Sequence, residues 1–312
     1  MKNILVTGGC GYKGHVLVPK LLALGHKVDV VDTMWFGNFL EPHFNLTVHR
    51  GDIRDNIRDA TGYDAIIHLA AIANDPCGDL DSKLTWETNA LATMRLADAA
   101  ARDGVNQFIY ASSASVYGVK EEAQVREDLP LDPISDYNKT KMVAERALLS
   151  YSRQMAVQIV RPATVCGLSP RMRFDVSVNL LTLAALSKGE ITVFGGEQVR
   201  PNVHIDDITD AYIHLLDRPV LTGVYNVGFE NMSIMDIAKT VTTFIPTAKI
   251  KVVESDDIRS YRVNSDKFLA TGFEPKKTVR DAIEAIIGAY RAGARDEPHF
   301  HNLKWMKEEI LK

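Results

Sequence analysis

The feature that most limits the possible folds is a glycine-rich turn near the start of the chain. The apolar segment Asn3–Thr7 has the composition of a β-strand and runs directly into Gly8, Gly11 and Gly14. Apolar positions then recur with helical spacing as far as Leu24. A strand that turns through glycines into a helix is the start of a β–α–β unit, so the sequence predicts a parallel sheet covered by helices.

Short strand-like segments alternate with longer helix-like segments through the first half of the chain. The predicted strands are residues 3–7, 27–32, 46–52, 64–70, 107–112 and 157–164, and the clearest predicted helices are 12–24 and 85–102. This order is typical of an α/β fold of the Rossmann type, with a doubly wound parallel sheet.

The alternation loosens after about Gly167, which indicates a second unit. Helical segments at 176–187, 207–216, 233–243 and 279–291 alternate there with short strands. We therefore expect a Rossmann domain at residues 1–166 and a smaller α/β lobe formed mainly by residues 167–312. Residues 201–228 are expected to return to the first domain, because 224–227 resembles one more core strand. A ligand would bind in the cleft between the two parts.

Composition excludes several classes of protein. The chain is 46% hydrophobic and 24% charged, and its 36 basic and 40 acidic residues show no block of one sign, so neither disorder nor nucleic-acid binding is indicated. The longest nearly apolar run, 65–73, is far shorter than the roughly 20 residues of a membrane-spanning helix. Cys10, Cys77 and Cys166 form no CxxC pair, so no metal site or disulfide framework is predicted. With no secretory leader after Met1, we expect a cytoplasmic protein without a membrane partner.

The glycine turn also predicts a dinucleotide site. The free N–H groups and positive dipole end of the following helix would hold phosphates beside Gly11, Tyr12 and Lys13. A plain strand–helix turn has similar glycines, and the residue that favours a cofactor is Asp32, at the end of the second predicted strand. Its carboxylate would accept hydrogen bonds from the adenosine ribose and repel a 2′-phosphate, which favours NAD over NADP. Further residues expected along this site are Asp52, Ile53, Leu69, Ala70 and Ala71.

Tyr137 and Lys141 stand four residues apart, about one helical turn, just before a helix predicted at 142–151. A phenol with its usual pKa of about 10 is a poor base at neutral pH, and a neighbouring ammonium would lower that pKa. An ordinary surface pair has the same spacing. Ser113, which follows the predicted strand 107–112, favours a catalytic site, because it would face the crevice and could hydrogen-bond a substrate hydroxyl.

The order of these motifs resembles the extended short-chain dehydrogenase/reductase family, specifically its NAD-dependent nucleotide-sugar epimerases and dehydratases of the UDP-glucose 4-epimerase type. The matching motifs are Thr7-Gly-x-x-Gly-x-x-Gly14, Asp32, Gly51-Asp52, His68-Leu69-Ala70-Ala71, Asn89, Ser113-Ala-Ser-Val-Tyr-Gly118, Tyr137-x-x-x-Lys141 and Arg161-Pro162. The resemblance runs nearly end to end. It implies a nucleotide-sugar substrate and a catalytic triad of Ser113, Tyr137 and Lys141.

The resemblance also implies binding roles. Asn89 would support the cofactor side, and the segment 33–38, with Thr33, Gly37 and Asn38, resembles an adenosine-binding loop. In the second lobe, the positions that resemble diphosphate and base contacts are Asn179, Arg200 and Arg259. The planar donors of arginine suit phosphate, although each arginine could equally form a surface salt bridge.

Departures from the family pattern reduce the number of reactions that the chain could catalyse. Ala114 and Ser115 stand where 4,6-dehydratases carry the Asp-Glu pair that eliminates water, and Ser115 stands where 3,5-epimerases carry cysteine. Thr164 replaces an asparagine that usually contacts the sugar and phosphates, and the charged stretch 171–175 could supply that contact. Cys166 is expected to be a buried apolar residue.

The first hypothesis is therefore an NAD-dependent nucleotide-sugar 4-epimerase. A rival is a 4-dehydrogenase or 4-ketoreductase that uses the same triad. A cofactor-sensing protein without turnover would have no need of those three side chains. The resemblance further implies a homodimer, in which the helix that carries Tyr137 and the preceding long helix would form the shared face. Residues that could supply this face, or equally an internal core, are Leu91, Met94, Leu96, Met142, Val143 and Leu148.

Overall fold

The computed structural model describes residues 1–56, 59–255 and 260–311 of the 312-residue chain. The strands in these ranges are β1 (Asn3–Thr7), β2 (Lys27–Asp32), β3 (Leu46–Arg50), β4 (Ala65–His68), β5 (Gln107–Ala111), β6 (Ala156–Pro162), β7 (Thr164–Cys166), β8 (Glu190–Phe194), β9 (Val199–His204), β10 (Gly223–Val227), β11 (Glu230–Ser233) and β12 (Lys249–Val253).

The α-helices in the same ranges are α1 (Gly14–Ala23), α2 (Ile53–Asn56), α3 (Asp75–Gly78), α4 (Ser82–Trp86), α5 (Ala92–Arg102), α6 (Asp136–Leu149), α7 (Ser177–Lys188), α8 (Ile205–Leu216), α9 (Ile234–Phe244), α10 (Asp266–Leu269), α11 (Val279–Arg291) and α12 (Asn302–Trp305). The π-helical segments Glu87–Leu91 and Met306–Ile310 follow α4 and α12, and tight 3-10 turns form at Ala114–Tyr117 and Pro298–Phe300. None of these helices is long and apolar enough to cross a lipid bilayer.

Seven parallel strands form the main sheet in the order β10-β6-β5-β4-β1-β2-β3. Strands β4 and β5 are buried along their whole length, as expected for a sheet covered on both faces. The chain winds outward from β1 to β3 and then returns to β4 on the other side of β1, where Thr7 lies beside His68. Such a reversal opens a crevice outside the carboxyl ends of the strands. The prediction of a Rossmann-type α/β fold is confirmed.

Two apolar layers enclose this sheet. Ile4 and Val6 of β1 pack with α1 and α8, whereas Leu5 packs in the layer that contains α5 and α6. Leu96 and Leu148, predicted for a dimer face, are 1% and 0% exposed and belong to this second layer. For these two residues the structure supports the alternative of an internal core, because both side chains pack in the layer against the sheet. Other members of the set remain outside the core: Leu91 and Met94 are exposed, and Met142 and Val143 are half-buried.

The second lobe has its own small sheets. β9 lies between β7 and β11, and β8 pairs with β12. Helices α7, α9 and α11 enclose an apolar core that includes Ile191 and Val193 of β8. Within the segment 201–228, the end of β9 stays with this lobe, whereas α8 packs on the main sheet and β10 pairs with β6 at its edge. The chain therefore crosses between the two parts at the end of β9.

Some element boundaries differ from the sequence prediction for local reasons. The single strand predicted at 157–164 is two strands, because β6 ends at Pro162, and Thr164 begins β7 in the other sheet. Proline lacks the N–H group that a continuing ladder needs. The strand predicted at 46–52 ends at Arg50, because the Asp52 carboxylate accepts the N–H of Arg54 and begins α2. The helix predicted at 85–102 is interrupted by a π-helical segment.

Candidate active site

A cavity of about 340 Å³ lies outside the carboxyl ends of the central strands, between the main sheet and the second lobe. Most of the site residues predicted from the sequence line it: Gly8, Gly11, Tyr12, Lys13, Gly14, Asp32, Thr33, Asp52, Ile53, Leu69, Ala70, Ala71, Ser113, Tyr137, Lys141 and Thr164. The glycine turn and the Ser/Tyr/Lys cluster therefore face one space.

The glycine turn is packed too closely for side chains. Gly8 has a φ of +72°, and a Cβ there would lie 2.5 Å from the backbone nitrogen of Ala70. A Cβ on Gly14 would lie 2.3 Å from the carbonyl oxygen of Gly9. Helix α1 begins here without a side-chain cap. The N–H groups of His15 and Val16 donate to the carbonyls of Gly11 and Lys13, so an anion in the cavity would face the glycine turn itself and the positive end of the helix dipole, as a pyrophosphate requires.

Asp32 is fixed by the backbone. Its Oδ2 accepts the N–H of Cys10 at 3.0 Å, and its Oδ1 accepts the N–H of Met34 at 2.7 Å. Burial raises its pKa, and these two hydrogen bonds together with the charge of Arg171 oppose that rise. A carboxylate has about four acceptor positions, so Asp32 retains capacity for two hydroxyl donors. An adenosine ribose offers two such donors.

Asp52 and Asn89 have mainly structural contacts. Burial raises the pKa of Asp52, but hydrogen bonds from Arg54, 2.8 Å away, outweigh this and lower it. Asn89 is buried outside the cavity lining. Its amide accepts the N–H of Ile72 and donates to the Ile72 carbonyl and to Thr140 of α6. Asn89 thereby ties the segment after β4 to the helix that carries Tyr137.

Several predicted ligand contacts lie away from the cavity. Gly37 has a φ of +89° in a turn closed by its N–H to the Met34 carbonyl, and the Asn38 side chain accepts the N–H of Leu40. Arg200 is half-buried on β9 and does not line the cavity described above. The prediction for Arg259 lies outside the described residues.

Asn179 is fully buried behind the cavity wall. Its Oδ1 accepts the N–H of Gly167, and its Nδ2 donates to the carbonyl of Arg173 and to the hydroxyl of Tyr12. Tyr12 in turn donates to the Gly167 carbonyl at 2.6 Å. Both amide protons of Asn179 are therefore used within the protein, and the residue holds the loop 167–173 against the glycine turn.

Tyr137 lies in the first turn of α6. This helix begins earlier than the predicted 142–151, because the Ser135 side chain caps it by accepting the N–H of Asn138 at 3.1 Å. Ser113 follows β5 and caps the tight turn Ala114–Tyr117. Lys141, one helical turn after Tyr137, is 3% exposed, and its Nζ donates to the Ala111 carbonyl at 2.8 Å.

Burial controls the protonation of this cluster. It raises the pKa of Tyr137 to about 12, although Arg173 and hydrogen bonding to Ser113 lower it. Burial and the nearby charge of Lys13 lower the pKa of Lys141 to about 7, against the opposing effect of Glu145. The expected lowering of the Tyr137 pKa by Lys141 is therefore not seen in the protein alone. The Lys141 ammonium lies 6.0 Å from the Tyr137 ring centroid, and burial of the phenol has the larger effect.

Two arginines enter the cavity from the second lobe. Arg171 is 2% exposed; its Nη2 donates to the Asn302 side chain at 2.5 Å, and its guanidinium lies 4.2 Å from the Phe36 ring centroid. Arg173 pairs with Asp175 at 2.8 Å. The sequence predicts only that the stretch 171–175 supplies charge. The Arg-x-Arg spacing of Arg171 and Arg173, beside a proposed site, is the one sequence feature that could have indicated that both residues enter the cavity.

The C-terminal segment also reaches this site, which the sequence did not predict. Trp305 donates from its indole to the Trp35 carbonyl at 2.6 Å, and His299 stacks on Phe39 with ring centroids 5.5 Å apart. Asn302 lines the cavity itself. The segment therefore covers the loop that follows Asp32.

A Rossmann crevice that brings a glycine-rich helix start, the Asp32 carboxylate and a Ser/Tyr/Lys cluster to one cavity defines a dinucleotide-dependent oxidoreductase-type enzyme. The model of the NAD dependent epimerase/dehydratase family matches residues 4–228, and the chain belongs to this family. The predictions of an extended short-chain dehydrogenase/reductase and of NAD as its cofactor are confirmed.

Relatives within the family have different activities. The UDP-glucose 4-epimerase of Lactobacillus helveticus is 29% identical over 274 residues, which cover 77% of this chain and 82% of that protein. UDP-glucuronic acid decarboxylase 1 of Xenopus tropicalis is 27% identical over 307 residues, which cover 93% of this chain and 72% of that protein. Among solved structures, the UDP-glucuronic acid 4-epimerase from Bacillus cereus, in complex with UDP-glucuronic acid and NAD, has a TM-score of 0.84 at 28% identity and covers 93% and 99% of the two chains.

Proposed function

We propose that this chain is an NAD-dependent nucleotide-sugar 4-epimerase. The observation that supports this most strongly is that Ser113, Tyr137 and Lys141 share one cavity with the glycine turn and Asp32. Cofactor and substrate can thus meet beside a hydroxyl, a phenol and an ammonium, the groups that reversible oxidation of an alcohol needs.

The residues present suit NAD. The N-terminus of α1 would hold its pyrophosphate, because Gly8 and Gly14 have no side chains that would cover the backbone there. Asp32 would accept hydrogen bonds from the adenosine ribose. When bound, NAD accepts a hydride from a sugar carbon and can return it.

The side chains would handle the proton of the sugar hydroxyl. Ser113 hydrogen-bonds the C4 hydroxyl and aligns it with Tyr137, which takes the proton from the hydroxyl oxygen and later returns it. Lys141 places positive charge near the phenolate that forms. The pKa of about 12 for Tyr137 is too high for an efficient base, so the positively charged nicotinamide of bound NAD is the further charge that would lower it.

Elimination of water is less well supported. Ala114 is buried, and the Ser115 hydroxyl is hydrogen-bonded to Ser113 and Asn138, so neither residue supplies the acid and base that a 4,6-dehydratase needs. Turning a keto-sugar over within the site requires no further acid or base, which favours epimerisation. A 4-dehydrogenase or 4-ketoreductase would use the same three residues and is the second candidate.

The second lobe would bind the nucleoside diphosphate. Thr164, Arg171 and Arg173 line the cavity on that side and offer a hydroxyl and two guanidinium groups. Asn179 would act through the loop that it holds, because its own amide protons are used within the protein. Arg200 and Arg259 remain proposed contacts of the distal part of the nucleotide.

The test begins with purified protein. Bound NAD and NADH are released by denaturation and quantified, and fresh protein is incubated with UDP-, GDP-, CDP- and dTDP-sugars while absorbance at 340 nm and product stereochemistry are followed. Inversion at C4 without accumulation of NADH is the expected result. Stoichiometric NADH with a 4-keto product would instead identify a dehydrogenase, and absence of any turnover across the panel would contradict both activities.

We also propose a homodimer in the cytoplasm. Leu91, just before α5, and Met94, within it, are exposed apolar residues, which supports a shared helical face. The three free cysteines are all buried, which suits a reducing compartment. Light scattering on the pure protein should give twice the chain mass. Met94→Glu should shift this mass toward that of one chain, and an unchanged dimer would place the interface elsewhere.

A further inference from the structure

Lys13 is a cavity residue that the proposed chemistry does not use. It precedes α1 in the glycine turn, but its side chain does not cap the helix. Instead, Nζ donates to the hydroxyl of Tyr212, a fully buried residue of α8, at 3.2 Å, and lies 5.6 Å from the centroid of that ring. Across the described ranges, no carboxylate forms an ion pair with this ammonium.

The Lys13 ammonium lies toward the Tyr137 end of the cavity. Lys13 lines the same cavity as Ser113 and Tyr137, and its partner Tyr212 packs in the apolar cluster that includes Ala111, whose carbonyl accepts the hydrogen bond from Lys141. In keeping with this position, the charge of Lys13 lowers the pKa of Lys141. The ribose-binding end of the cavity is formed by Asp32, which is held by other backbone groups. Lys13 therefore extends away from the adenosine end and toward the groups that would meet the substrate.

The charged groups near Lys13 do not neutralise the positive charge of its ammonium. Arg173 is offset by Asp175 at 2.8 Å, and Lys141 faces the Ala111 carbonyl. Burial and the charge of Arg173 lower the pKa of Lys13 to about 8, so at pH 7 most molecules still carry its proton. Lys13 is half-buried, and a half-buried cation acts on neighbouring charges more strongly than a fully exposed one.

The ring that exchanges hydride would have to meet a substrate held by Ser113 and Tyr137, and Lys13 lines the same cavity as both residues. The nicotinamide ring is cationic in NAD and neutral in NADH. A fixed positive charge beside it opposes binding of the oxidised form more than binding of the reduced form. We infer that Lys13 shifts the relative affinity of this site toward reduced cofactor, so that the reduced cofactor and a keto-sugar are retained together long enough for hydride to return. This inference rests on the proposed function.

The test is a binding measurement without any sugar. Protein freed of cofactor is titrated with NAD and, separately, with NADH, and the ratio of the two dissociation constants is taken. In the unchanged protein, NADH should bind more tightly than NAD. Lys13→Met should lower this preference about tenfold, mainly by tightening NAD, because like charges that share one cavity repel by about this factor even at an effective dielectric constant near 20.

Two further variants separate charge from packing. Lys13→Arg keeps the charge and should keep the preference, and Tyr212→Phe removes only the hydrogen bond and should also leave it largely unchanged. An unaltered ratio in Lys13→Met would overturn the inference. Should that variant not fold, equal affinity of the unchanged protein for NAD and NADH would overturn it equally well. Failure of the sugar panel would remove the epimerase proposal but would not alter this ratio, so the two failures are distinguishable.

Discussion

The hydroxyl of Ser115 lies 2.7 Å from the hydroxyl of Ser113, and the Ser115 N–H also points to Ser113 Oγ at 3.2 Å. On its other side, the Ser115 hydroxyl donates to the side chain of Asn138, the buried neighbour of Tyr137 on α6. Ser115 thus links the turn after β5 to the first turn of α6. This link fixes the direction of the Ser113 hydroxyl relative to the phenol.

Removing this link should slow turnover without abolishing binding. We predict that Ser115→Ala lowers kcat about tenfold with little change in KM, because Ser113 becomes free to rotate while its own hydroxyl remains. Ser115→Thr retains the hydroxyl and should restore most of the rate. Ser152→Ala, at an exposed serine, is the control. A change confined to KM would show that Ser115 contacts substrate and does not position Ser113.

Tyr137 should be required for proton transfer. Tyr137→Phe is expected to lower kcat by roughly 10² to 10⁴-fold, the usual contribution of a positioned acid or base. The amount of NAD that copurifies should not change, because the glycine turn and Asp32 are untouched. Tyr151→Phe, at a tyrosine beyond the opposite end of α6, should retain full activity. Comparable rates in the two variants would exclude the phenol of Tyr137 from the chemistry.

Beneath the site, Glu145 and Arg161 form a buried ion pair at 2.6 Å, with exposed side-chain fractions of 1% and 5%. Removing one charge leaves the other buried without a partner of opposite charge. Glu145→Gln should therefore reduce the free energy of unfolding by about 3 to 5 kcal/mol. The double variant Glu145→Met with Arg161→Met should recover part of this loss. Lys83→Gln, in the exposed pair with Glu87, should change stability by less than about 1 kcal/mol in the same urea titration. A single-variant loss no larger than that of Lys83→Gln would contradict the argument.

The parts of the structure that could be predicted from the sequence are those encoded locally. The strand before Gly8 and Asp32 at the end of β2 follow from alternation and composition over a few residues, and both lie where expected. The spacing of Tyr137 and Lys141 likewise put both side chains at one cavity. In contrast, no local pattern signals that Thr164 leaves the main sheet, since this depends on which distant strand accepts its hydrogen bonds.

Contacts between distant parts of the chain are the main feature that the sequence pattern does not predict. Asn302 meets Arg171 only because the C-terminal segment returns across the second lobe, and neither residue type carries a periodic signal. The sequence predicts a lowered pKa for Tyr137, whereas the structure gives a raised one, for a related reason. The sequence shows Lys141 nearby, but only the folded chain shows how strongly the surrounding protein desolvates the phenol.

Acid should destabilise the protein through His68. This residue is fully buried between Thr7, at 2.5 Å, and Thr93, at 2.8 Å, and burial lowers its pKa to about 3. Because an unfolded histidine titrates near 6.5, the unfolded chain binds one more proton than the folded chain below that pH. Stability should therefore fall by up to about 1.4 kcal/mol per pH unit between roughly pH 6.5 and 3. His68→Asn should show a shallower slope in urea titrations at several pH values, and parallel slopes would exclude His68 as the cause.

The C-terminal segment should control how firmly NAD is held. Asn302 accepts a hydrogen bond from Arg171, which itself covers Phe36 in the loop after Asp32, so Asn302→Ala should loosen the outer wall of the cofactor cavity. We expect NAD to dissociate about tenfold faster, which corresponds to about 1.4 kcal/mol and is typical for one hydrogen bond to a charged group. The rate can be followed by trapping released cofactor with an NAD-consuming enzyme. Lys304→Ala, two residues away at an exposed position, should release NAD at the original rate. If both variants release NAD equally, the segment packs on the cofactor loop without retaining the cofactor.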